Sequence, residues 1–236
     1  MPNEHKEDLD RREFMMAAIG LVGTSATFAS SACIANAQDT KAPPVGPAPG
    51  ASQGTVYTGD VIQGKKVISA LDVNDLERGK KHAFYFQGVQ MPTGQHWYVS
   101  VIVAVGTKPG KRIVLTGGVH GDEMSPVHMI QTVMGQLDPA QMSGTVLAVP
   151  DVSRQALEGM ARRWPSSGRG IDLIDINREW PGNENGFSAA SRHAGILFNR
   201  LLRPNADYAL DFHTGTTAMD VTAFNLARME DRKSVV

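Results

Sequence analysis

The chain has 236 residues, 42% hydrophobic and 20% charged. This suits a soluble globular domain with or without a tail, and excludes a wholly disordered chain or a multi-pass membrane protein. Its 23 Lys and Arg against 24 Asp and Glu leave a formal charge of -1; with no basic field to draw nucleic acid, the expected partner is a small molecule. The single cysteine, Cys33, excludes an intramolecular disulfide and a cysteine-rich zinc site, so any metal must be held by His and carboxylates.

In chain order, Arg11 and Arg12 come first, followed by Glu13, Phe14, Met15 and an uncharged run rich in Ala, Gly and Ser that reaches Ala32. This resembles a twin-arginine export signal, and Ala35-Asn36-Ala37 supplies the small residues a signal peptidase reads, so cleavage is expected after Ala37. Retention of the run as a membrane anchor and lipid attachment at Ser31-Ala32-Cys33 are the competing readings; Ser30 stands where a lipobox usually wants Leu. Removing residues 1 to 37 takes away 3 Lys and Arg and 5 Asp and Glu and leaves 20 against 19 with no cysteine, as suits an oxidising compartment. The expected location is periplasmic or secreted, with the twin-arginine machinery as a partner and no stable membrane anchor. Residues 38 to 55, with Pro43, Pro44, Pro47 and Pro49 among glycines and serines, read as an extended linker, and the folded domain is expected over 56 to 236.

His96 to Val105 has the β-branched content of a strand, Lys108-Pro109-Gly110 reads as a turn, and Arg112 to Thr116 as a short buried strand. Val127, Ile130, Val133, Met134 and Leu137 recur at helical spacing, and Asp138-Pro139 closes that helix; Met124, Met129 and Met134 read as core filler on it. Thr145 to Val149 is a further strand, followed by a helix from Ser153, a loop over Trp164 to Gly170 and a strand from Ile171 to Ile176. Ser188 can cap a helix with Ile196, Leu197 and Leu201 on its apolar face, and Tyr208 to Phe212 is the last strand. The alternation predicts an α/β fold: a mixed, largely parallel sheet flanked by helices.

Ligands of such sheets gather beyond the carboxyl ends of the strands, where three polar strings fall. They are Gly117-Gly118-Val119-His120-Gly121-Asp122-Glu123, Asp175-Ile176-Asn177-Arg178 with Trp180-Pro181-Gly182 behind it, and Asp211-Phe212-His213-Thr214-Gly215. His120 and Glu123 can face one point where a loop turns into a helix, and His213 could complete a His, Glu, His set with an open fourth position. That is the ligand number of a hydrolytic zinc site, whose bound water becomes acidic near neutral pH. His82, His96, His128 and His193 lack such a context and are excluded; His128 and His193 read as helix residues.

These strings, in this order and at these separations, resemble the succinylglutamate desuccinylase and aspartoacylase family of the zinc carboxypeptidase-like superfamily, from about Lys108 to Phe224. The resemblance implies zinc held by His120, Glu123 and His213, with Asp175 orienting a ligand imidazole. It implies that Asn177 and Arg178 grip a substrate carboxylate, and that an upstream arginine, Arg163 or else Arg169, polarises the scissile carbonyl. The chemistry is coherent: a guanidinium forks onto a carboxylate, and a second arginine stabilises an oxyanion. The implied activity is zinc-dependent deacylation of an N-acyl amino acid or related carboxylate; an exported zinc carboxypeptidase and a catalytically silent zinc-binding fragment are the alternatives. The sequence departs from the family in carrying Trp180 where Phe is common. After His213 it offers only Asp220, Glu230 and Asp231 as acids, none in the context of the family's general-base glutamate. The domain is therefore expected to be C-terminally incomplete.

The arginine pair generates a test. Replacing Arg11 and Arg12 together by Lys should trap precursor in the cytoplasm, as followed by fractionation and immunoblotting. Undiminished export of the double variant would show a signal of another kind.

Overall fold

A computed structural model of the chain describes residues 54–164, 174–217 and 219–221. The expected signal segment, nearly all of the expected linker, Arg169, Glu230 and Asp231 lie outside the described residues. Seven strands form one sheet in the order β1-β2-β3-β4-β6-β5-β7. They are β1 Val56–Ile62, β2 Lys65–Ala70, β3 Lys80–Gln90, β4 His96–Val105, β5 Lys108–Thr116, β6 Ser143–Val149 and β7 Tyr208–Asp211. The helices are α1 Met124–Gln136, the single-turn α2 Arg154–Glu158, and α3 Ala189–Leu197. The expected mixed α/β sheet is present. β5 pairs in parallel with β6 and β7, and β2 with β3, while β1–β2, β3–β4 and β4–β6 are antiparallel.

Alternation along the central strands sends successive residues to opposite faces, and each face has its own helix. Leu115, Ala148 and Ala104 pack with Ile130 and Met134 of α1. Their neighbours Val114, Leu147 and Val103 pack with Ala190, Ala194 and Leu197 of α3 and with Leu201 beyond it. Burial on both faces explains the apolar stretches from Val101 to Val105 in β4 and from Val146 to Val149 in β6. Ser188 caps α3 as expected, its hydroxyl accepting from Ser191 N at 3.0 Å. Met134 is buried and Met129 packs against the core, but Met124, the first residue of α1, is half exposed rather than core filler.

Two further expectations are corrected. Lys108-Pro109-Gly110 belongs to β5: Lys108 pairs with Ser143, and the register slips before Arg112, where an irregular ladder tolerates a proline without an N–H. The strand expected to end at Ile176 does not run that far. Ile174 makes one isolated bridge with Trp164, and the Asp175 carboxylate then accepts from Asn177 N at 3.0 Å, bending Ile176–Arg178 into a 3-10 turn.

The register sets the site. Thr116 stands beside Val149 on one side and Asp211 on the other, so β5, β6 and β7 end together and release their loops at one edge. Beneath this edge, Trp164 is fully buried with Trp97 at 4.5 Å and His193 at 5.0 Å between ring centroids. His193 Nδ1 accepts from Val89 N (3.3 Å) and Nε2 donates to Val152 O (3.1 Å), the pattern of a neutral imidazole. The backbone of Gly88 lies against this ring, where a Cβ would come within 2.4 Å of it.

Burial drives the His193 pKa down from 6.5 to about 4, opposed by the bond to Val152. The unfolded chain thus takes up a proton at this residue between those values while the folded chain does not. Stability is lost as pH falls from 6.5 toward 4 and levels off below, by about 3 kcal/mol for this group. Denaturant unfolding of the wild type and His193→Gln at pH 7 and 4.5 should show a smaller acid loss in the variant. Equal losses would contradict the assignment.

Candidate metal centre

The Gly117 to Glu123 loop owes its path to close backbone packing. Gly118 has φ +63, a left-handed conformation natural to glycine. Gly121 donates its N–H to Ala161 O at 3.0 Å, and a Cβ on it would lie 1.9 Å from Ala156 O in α2, so only glycine fits between the two. Val152 N and Ser153 N donate to the carbonyls of Gly117 and Gly118 at 3.1 and 2.8 Å, tying the β5 loop to the β6 loop. Glu123 stands at the N-cap of α1 without using its side chain for capping, which leaves the carboxylate to point into the site.

Around that carboxylate the three strings meet. His120 Nδ1 lies 2.8 Å from Glu123 Oε1, and His213 Nδ1 lies 2.9 Å from Glu123 Oε2. Each imidazole is held from behind by an aspartate: His120 Nε2 is 2.9 Å from Asp175 Oδ1, and His213 Nε2 is 2.8 Å from Asp211 Oδ2. Asp211 is itself fixed by the Thr116 hydroxyl, which donates to its other oxygen at 2.7 Å. Glu123 also accepts from Arg162 Nη1 at 2.8 Å and from Thr214 N at 3.1 Å. His120 and Glu123 are 1% and 2% exposed. One ligand atom from each of His120, Glu123 and His213 falls within 4.8 Å of the others.

The charges favour a cation. Asp122, Glu123, Asp175 and Asp211 crowd the edge with Arg162 among them. Burial acts to raise the Asp175 carboxyl, but the bond and charge of His120, the Asn177 N–H and the Arg162 charge hold it below the ordinary carboxylate range. The bond to Asp211 raises the His213 pKa, partial burial opposes this, and the charges of Asp211 and Glu123 reinforce the rise. A carboxylate only accepts hydrogen bonds. With both nitrogens of each ring facing carboxylates, the cluster needs a proton on each Nδ1, or a cation in their place. Two imidazole nitrogens and a carboxylate oxygen are a donor set that fits zinc.

Of the residues singled out in the sequence, His120, Glu123, His213 and Asp175 come together. Asn177 and Arg178 lie in the adjoining 3-10 turn, with Arg178 exposed and its Nη1 3.5 Å from Asn177 O. Arg163 does not reach the cluster by any described contact: it is exposed, and its neighbour Arg162 holds Glu123. Asp220 is exposed as well. Sequence reasoning passed over Arg162 and gave no role to Asp211, although it quoted the string that Asp211 opens. For Asp211 a signal existed, since residues two apart at a strand end share a face; for Arg162 against Arg163 there was none.

The chain matches the family described as the succinylglutamate desuccinylase/aspartoacylase catalytic domain over residues 109–235. It belongs to that family. It is 28% identical over 130 residues to the N-alpha-acetyl-L-2,4-diaminobutyric acid deacetylase of Halomonas elongata, covering 55% of this chain and 36% of that one. The crystal structure of a succinylglutamate desuccinylase/aspartoacylase from Rhodobacter sphaeroides is similar with a TM-score of 0.53 and 29% identity, over 62% of this chain and 43% of the other. The product-bound ectoine utilization protein EutE (DoeB) of Ruegeria pomeroyi has a TM-score of 0.50 at 25% identity, over 59% and 41%. The chain spans less than half the length of each of these relatives.

The packing of Gly121 is directly testable. Gly121→Ala must push α2 away from the loop and should lower stability by about 2 kcal/mol or more. Gly135→Ala, in α1 with nothing within 4 Å of the added carbon, should be neutral or stabilising by up to about 1 kcal/mol. Thermal unfolding of both variants decides, and an unchanged melting temperature for Gly121→Ala would contradict the contact.

Proposed function

We propose that this chain carries the metal centre of an exported, zinc-dependent amide hydrolase that removes the acyl group from an N-acyl amino acid or related carboxylate. The observation that carries this reading is the convergence of two imidazoles on one buried carboxylate, each imidazole backed by an aspartate. Family membership and the deacetylase named among the relatives support amide hydrolysis. The twin arginines support export.

His120, Glu123 and His213 would hold the zinc ion. Bound there, zinc supplies Lewis acidity, which polarises a carbonyl and makes water acidic near neutral pH. Asp175 and Asp211 would keep both rings turned with Nδ1 inward. Arg162, bonded to Glu123 in this structure, would take the role expected of Arg163, its guanidinium stabilising charge that develops on the substrate carbonyl oxygen. Arg178, exposed on the turn that begins at Asp175, can fork onto the substrate carboxylate, with Asn177 beside it as a further donor. The amino acid part of the substrate would then lie toward the 3-10 turn and the acyl group away from it.

One experiment joins metal to substrate. The purified chain should retain about one zinc after dialysis, His213→Ala should lose most of it, and exposed His128→Ala should keep it. The zinc-loaded chain should bind an N-acetyl amino acid, and Arg178→Ala should weaken this by about 2 kcal/mol while leaving the weaker binding of the carboxamide analogue nearly unchanged. Equal zinc in the two histidine variants, or equal losses on both ligands, would overturn the corresponding part of the proposal.

A further inference from the structure

Asp122 is the one member of the Gly117 to Glu123 loop whose side chain the metal centre leaves unexplained. Its Oδ2 accepts from the Thr216 hydroxyl and from Thr217 N, the latter at 3.2 Å. Its Oδ1 is buried and has no hydrogen-bond partner among the described residues.

What it joins is informative. Thr216 and Thr217 follow His213 by three and four residues, and Asp122 precedes Glu123 by one; the contact bridges loops more than 90 positions apart in the chain. Three other bonds link the same two loops or their strand ends: His213 Nδ1 and Thr214 N to Glu123, and Thr116 to Asp211. A metal among the three ligands must displace the His213–Glu123 bond, because the same nitrogen and carboxylate would be turned to the ion. Asp122 contributes no atom to the ligand group. Its bonds can therefore persist whether or not the ion is bound.

We propose that Asp122 is a positioning residue that straps the Thr214 to Thr217 segment to the His120–Glu123 loop, holding His213 at metal-binding distance before the ion arrives. The proposal rests on the zinc reading above. Preorganisation of this kind shows as affinity, because the ordering of the third ligand need not be supplied on binding.

The test uses the 236-residue chain and competition for zinc with a chromogenic chelator. Asp122→Ala should weaken zinc binding about tenfold, the low end of what loss of an orienting partner costs a metal site. Asp122→Asn, which keeps an acceptor oxygen for Thr216 and Thr217, should restore most of the affinity. Thr216→Val should weaken binding in the same direction by a smaller factor, and adding it to Asp122→Ala should cost nothing further, because the contact is already gone. Wild-type affinity in Asp122→Ala, an Asn variant as weak as Ala, or full additivity of the two changes would each overturn the strap while leaving the zinc reading intact. If the wild type bound no zinc, or His213→Ala bound it equally well, the zinc reading itself would fall, and the strap with it.

Discussion

A carboxylate 2% exposed cannot be solvated, and everything at this edge of the sheet answers to that fact about Glu123. Left alone, such a group would cost several kcal/mol or take up a proton. Here it is met by two imidazoles, a guanidinium and a backbone N–H, drawn from loops that follow β5 and β7 and from the segment after α2. Four donors match the acceptor sites of a buried carboxylate, and the two imidazoles among them are groups that can exchange a proton for a cation.

The sheet makes that convergence possible. Thr116, Val149 and Asp211 end in register on parallel strands, so residues 90 positions apart in the chain arrive at one edge with their backbones already aligned. Close packing then removes slack: α2 presses on Gly121, and the β6 loop is bonded to Gly117 and Gly118. The layer of Trp97, Trp164 and His193 below is bonded through His193 to the carbonyl of Val152 in that same loop. Such a floor favours a preorganised first set of ligands, which metal chemistry at neutral pH depends on.

Much of this was legible in the residues themselves, for identifiable reasons. Ligands supplied by short strings at strand ends keep a local spacing, so His120 with Glu123, the Asp175 to Arg178 run and the strand ending before His213 could be recognised one by one. β4 was readable to its last residue because its second half, from Val101 to Val105, is wholly apolar and rich in Val and Ile, and α3 because Ser188 marks its start. β1 to β3 were missed: Lys65, Lys66, Lys80 and Lys81 open β2 and β3 and hide the apolar alternation behind them, and β1 is mostly exposed. The choice between Arg162 and Arg163 could not be read at all, since adjacent residues of one type differ only in where the backbone points them. Asp175 was misjudged as part of a strand for a related reason, its side chain bonding its own backbone two residues on and curling the chain into a 3-10 turn.

The central claim is that one zinc ion belongs among His120 Nδ1, a Glu123 oxygen and His213 Nδ1. X-ray absorption at the zinc edge on the zinc-loaded chain addresses this most directly. The account predicts a shell of two imidazole nitrogens and carboxylate or water oxygen at about 2.0 to 2.2 Å, with one imidazole lost in His213→Ala. A shell dominated by sulfur, or one unchanged by removal of His213, would contradict it.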